Sequence, residues 1–202
     1  MRELLTSENI GIVFQIIITV VILGMVFYSA QKNSKKRKLI LQPIAQKYNG
    51  IVKAPFYSTN LEFSYEGLKC RLDLIPQTKN TPAMTRITCR FPEKIKWKIK
   101  VYPETFEFKL GKKFGLKDIQ VYNEPFDSKF IIQGSDINRV RSFLTPETQQ
   151  SFMQLPDFQP KLTVDGYAMV FLVGTLFEDT ANNEMMVEKG FFFARRIREA
   201  GY

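Results

Sequence analysis

Histidine is absent from the 202 residues, and cysteine occurs only twice, at Cys70 and Cys89. The first absence removes the usual general base at neutral pH, the commonest zinc ligand, and any Ser-His or Cys-His nucleophile pair. Two cysteines make neither a disulfide framework nor a metal set. No glycine-rich phosphate loop is present: Gly111-Lys112-Lys113-Phe114-Gly115 lacks the GxxxxGK[ST] spacing and reads as a basic turn. Internal repeats and low-complexity stretches are missing too. No catalytic, metal or cofactor site is therefore expected. An enzyme would have to rest on carboxylates such as Asp73, Glu104 or Asp127, for which no spacing argues.

The run Ile10–Ala30, by contrast, is twenty-one residues without a charge. As a helix rising ~1.5 Å per residue it is long enough to cross a hydrocarbon core of ~30 Å. Arg2, Glu3 and Glu8 precede it, whereas Lys32, Lys35, Lys36, Arg37 and Lys38 follow it with no acid among them. The positive-inside rule then predicts an extracytoplasmic N-terminus (1–9), a single transmembrane helix (10–30), a basic juxtamembrane segment (31–38) and a cytoplasmic domain (39–202). A cleaved signal peptide would show the opposite charge order. Gln15 is the strongly polar side chain of the run, placed either to bond a neighbouring helix or to reach back to water. Lys35, Lys36, Arg37 and Lys38 also suit anionic headgroups.

Residues 39–202 hold 23 basic and 18 acidic residues, and the excess lies in 39–120, with 15 against 7. A bilayer surface or an acidic partner fits that charge. Nucleic acid does not, because no recognition motif accompanies it. The predicted class is α+β: a mainly antiparallel sheet with packed helices, one of them C-terminal.

Leu39–Tyr48 reads as a short helix stopped by Asn49-Gly50, with Pro43 in its first turn or separating it from the span. Leu61–Tyr65 and Leu68–Leu74 alternate apolar and polar residues about Glu66-Gly67, a tight hairpin. Thr85–Phe91 continues the alternation and puts Cys89, like Cys70, on an apolar face. The pair is then either a redox couple or two small core residues; free cysteine is among the most buried residue types. In Lys94–Val101 the alternation stands Lys94, Lys96, Lys98 and Lys100 opposite Ile95, Trp97, Ile99 and Val101. The lysine row is either a docking stripe for headgroups or an acidic partner, or a guard against edge-to-edge aggregation.

Further strands are expected at Thr105–Leu110, Ile119–Tyr122 and Lys129–Gln133. Helices are expected at Asp136–Leu144, Pro146–Leu155 and Asn182–Ala200, with a second hairpin, Lys161–Val164 and Tyr167–Val173, about Asp165-Gly166.

The segments Ile44–Val52, Leu61–Leu74 and Phe126–Gly134 with the helix running to Leu144-Thr145 resemble an uncharacterised bacterial membrane-anchored domain family of unknown function. The resemblance covers about half of the soluble part. It implies a small α+β domain at the inner face of a bacterial membrane and brings no activity or site residues with it. Three functions compete. One is a non-enzymatic, membrane-tethered interaction module, an accessory subunit of a larger membrane protein complex. The second is a ligand- or lipid-binding sensor built on 18 Phe and 8 Tyr. The third is a carboxylate enzyme. The lipid bilayer and other membrane subunits are the expected partners.

Overall fold

In a computed structural model, which describes residues 7–55, 58–104 and 119–201, the chain is α+β. A long apolar N-terminal helix leads into an antiparallel sheet that is covered on one face by helices. Helix α1 (Ser7–Lys47) is continuous over 41 residues. It is the one described helix long and apolar enough to cross a membrane, and no part of its apolar window is buried by the rest of the chain. The separate helix expected at Leu39–Tyr48 is thus the end of α1. Pro43 does not break it. The proline's missing donor would have served the carbonyl of Leu39, a residue that is 73% exposed. Leu41, Ile44 and Ala45 are buried against the sheet and helix α5, described below.

Strands β1 (Ile51–Lys53), β2 (Thr59–Tyr65), β3 (Leu68–Ile75) and β4 (Met84–Pro103) form an antiparallel meander. The turn between β2 and β3 is the expected one: Glu66 and Gly67 both have positive φ, 47° and 77°, as a two-residue hairpin requires. The two predicted strands Thr85–Phe91 and Lys94–Val101 fuse into the single β4. Its core-facing series is Thr85, Ile87, Cys89, Phe91, Ile95, Trp97, Ile99 and Val101.

Short helix α2 (Glu124–Asp127) precedes β5 (Phe130–Gly134), which pairs with the far end of β4. Helices α3 (Ile137–Phe143) and α4 (Pro146–Met153) follow. Asp136 caps α3 by accepting from the amides of Asn138 and Arg139, and Thr145 caps α4 by accepting from that of Thr148. Strand β6 (Lys161–Val173) then lies along β4 from Val101 back to Thr85, and α5 (Thr180–Glu199) closes the chain behind an Asp179 cap.

The expected hairpin about Asp165-Gly166 does not form. Residues Lys161–Val173 are one strand, and Gly166, at φ +61°, sits where the register with β4 shifts. The buried positions change phase there, from Leu162 and Val164 to Met169, Phe171 and Val173, so an irregularity keeps both halves facing the core. Residues Ile119–Tyr122 are not a strand either; the Ile119 amide donates to the Ile132 carbonyl, and Tyr122 has a positive φ of 61°. The strand expected at Thr105–Leu110 and the turn at Gly111–Gly115 lie outside the described residues.

One apolar core holds the helices on the sheet. Phe152 meets Phe126, Phe130, Phe171 and Phe193, with ring centroids 4.8–6.1 Å apart. Such pairs add to the burial of their large apolar surfaces. These five rings are packed against one another in the core.

Candidate docking face and membrane junction

The even-numbered residues of β4 point away from the core. Arg86, Arg90, Lys94, Lys96, Lys98 and Lys100 follow one another along this face, joined from β3 by Lys69 and Arg71. Pairing sets Lys69 opposite Arg90 and Arg71 opposite Thr88. Acids answer only some of these charges. Asp73, 4% exposed, accepts from Arg71 at 2.9 Å and from Arg86 at 3.0 Å. Lys98 pairs with Asp165 at 2.9 Å. Among the described residues, Lys69, Arg90, Lys94, Lys96 and Lys100 have no acid partner, and like charges directly across a strand pair, as at Lys69 and Arg90, repel. A surface concavity of about 760 Å³ adjoins them, lined by Tyr48, Glu62, Lys69, Arg71, Arg86 and Arg90 among others.

The lysine row is legible in the sequence, whereas Lys69, Arg71, Arg86 and Arg90 are not singled out by it. A signal for them exists. In each alternating strand these residues occupy the same polar phase as the lysines, and antiparallel pairing puts equal phases on one face.

Helix α5 links this sheet to the end of α1. It runs beside the end of α1: Lys36 pairs with Glu178, Thr180 Oγ1 donates to the Ile40 carbonyl, Lys47 pairs with Glu184, and Tyr48 meets the edge of Phe191. The chain then continues past the end of α1 to Gly201, whose carbonyl accepts from Trp97 Nε1 at 2.6 Å. At ~1.5 Å per residue, Thr180 to Gly201 is ~30 Å. Trp97 is thus bonded at the far end of a helix ~30 Å long, whereas Lys35, Lys36, Arg37 and Lys38 lie within the first turns after Ala30. Charge attraction is screened over ~8–10 Å at physiological ionic strength.

The other candidates resolve into structure. Cys70 and Cys89 stand directly opposite, as the alternation implied, both buried and free with sulfurs 3.1 Å apart. The Cys70 thiol beside it, then burial, push the Cys89 thiol well above the ordinary range, which suppresses its thiolate. Asp127 accepts from the amides of Val121 and Asn123, and Asp73 serves two arginines, so both carboxylates are committed to bonds that hold the fold. Glu104 follows β4 directly, and its amide donates to the Lys129 carbonyl. Among the described residues no group of three metal-ligating side chains occurs. Lys189, which the sequence does not flag, reaches Ser151 Oγ at 3.0 Å, the Ser151 carbonyl at 3.2 Å and Gln154 Oε1 at 3.0 Å. Burial lowers its pKa, yet all three ammonium hydrogens are engaged, so it closes the last turn of α4 rather than accepting a proton from the serine. Gln15 is exposed on α1, where its carbonyl accepts from Thr19 Oγ1.

No family model and no curated protein matches the chain. Among solved structures, the crystal structure of the mycobacterial trehalose monomycolate transport factor A is similar over 83% of this chain and 93% of that one, with 9% identity and a TM-score of 0.49, a level of likeness that carries no functional inference.

Proposed function

We propose that the protein is a non-enzymatic, membrane-tethered interaction module, an accessory subunit that presents the cationic face of its sheet to an acidic surface of a partner protein. The observation that carries this reading is the row Arg90, Lys94, Lys96 and Lys100, exposed and without acid partners among the described residues. Arg90 and Lys100 lie where β4 is paired by neighbouring strands; Lys94, Lys96 and Lys98 lie on the stretch between β3 and β5, where only Ile95 pairs, with Gly166 of β6, so this part of the row also suits a guard against edge pairing. The excess of positive charge after the span favours a bacterial inner-membrane protein with its N-terminus outside and its domain in the cytoplasm.

Exchanging Lys94, Lys96, Lys98 and Lys100 for Gln tests the proposal, with co-purification from native membranes as the readout. Wild type should capture a partner whose retention falls as salt rises; the variant should lose it at low salt, with its melting temperature little changed because exposed charges contribute little to folding. Equal capture by both proteins at low and high salt overturns the reading. A C-terminal alkaline phosphatase fusion should be inactive; periplasmic activity would reverse the orientation.

A further inference from the structure

We infer that α1 and the β3–β4 connection form a binding cleft for one anionic phospholipid at the edge of the bilayer. A concavity of about 420 Å³ opens between the helix and Pro76, lined by Met25, Val26, Ser29, Asn33 and Arg37. Met25, Ser29, Asn33 and Arg37 recur every fourth residue, so they form one ridge along the helix. Over ~18 Å the ridge passes from a thioether through a hydroxyl and an amide to a guanidinium. A phospholipid standing beside the helix presents its groups in that order: acyl chain, glycerol esters, phosphate.

Arg37 supplies the second observation. It is half-buried, and among the described residues its guanidinium has no hydrogen bond; the nearby carboxylate Glu178, whose charge acts on it, is itself bonded to Lys36 at 2.8 Å. Side chains on a helix lean towards its N-terminus, which here is towards the bilayer. A planar fork of donors there matches a phosphate in bidentate geometry. Lys35, Lys36 and Lys38 add a positive field that favours a headgroup without an ammonium of its own. The cleft serves on whichever side of the membrane the domain stands.

Native mass spectrometry of the full-length protein released from micelles, titrated with phosphatidylglycerol or phosphatidylcholine, tests the cleft. Wild type should retain one phosphatidylglycerol in preference to phosphatidylcholine, and Arg37→Gln should weaken that first binding by about tenfold, the scale of one lost charge-assisted contact. Lys32→Gln removes the same charge from the same zone but lies outside the cleft lining, and should leave the first binding unchanged. Unaltered Trp97 fluorescence shows that each variant is folded. Equal weakening by both substitutions would mean diffuse attraction and overturn the site. So would equal binding of the two lipids, or an Arg37→Gln variant that binds as wild type does.

Discussion

Trp97 ties the middle of β4 to the end of the chain. Its ring is 1% exposed beside Phe143, and its indole N–H donates to Gly201 just beyond α5. Trp97→Ala removes both the ring and the donor and should cost about 3–5 kcal/mol in chemical denaturation. Trp97→Phe keeps most of the apolar volume but leaves the carbonyl without its donor, so it should cost less, on the order of 1–3 kcal/mol. Equal losses would mean that the hydrogen bond contributes nothing. The opposed cysteines act by size instead: two small buried side chains fill the sheet interior, and the raised pKa of Cys89 suppresses its thiolate while folded.

At the scale of elements, α5 lies unusually close to β4. A Cβ on Gly190 would come within 2.5 Å of Ile87 Cδ1 and 2.9 Å of its Cγ2. Helix propensity alone favours Gly190→Ala by about 1 kcal/mol. The contact should win, because overpacking a core costs about 1–3 kcal/mol. Thermal unfolding of Gly190→Ala, Ile87→Ala and the double variant checks this: the double variant should be more stable than the sum of the single losses, and simple additivity would show that α5 has shifted instead. The elements legible in the sequence were those whose turn chemistry and alternation agreed. The β2–β3 hairpin had Glu66-Gly67 between two alternating runs, and both signals were local. Asp165-Gly166 offered a similar dipeptide signal, but the choice between a hairpin and a bulge depended on β4, a partner distant in the chain. Pro43 left open whether the helix was broken there; the helix runs through it because Leu41, Ile44 and Ala45 on either side are held in the core. The cationic face was half legible, since alternation shows the lysines within one strand but not which other strands join their face.

At the scale of the whole molecule, the domain is attached to its apolar segment by a helix with no interruption between Ala30 and Lys47. Each residue of an α-helix turns the chain by about 100°. The azimuth of the cationic face around the membrane normal is therefore phased to the intramembrane surface of α1, as a gear is keyed to its shaft. Two alanines inserted between Ala30 and Gln31 would turn the face by about 200°, whereas four would return it to within about 40° of its starting bearing. Partner capture should vanish with two and recover with four, although four residues displace the domain farther from the bilayer. A module hung on a flexible tether would respond to the added length and ignore the added angle.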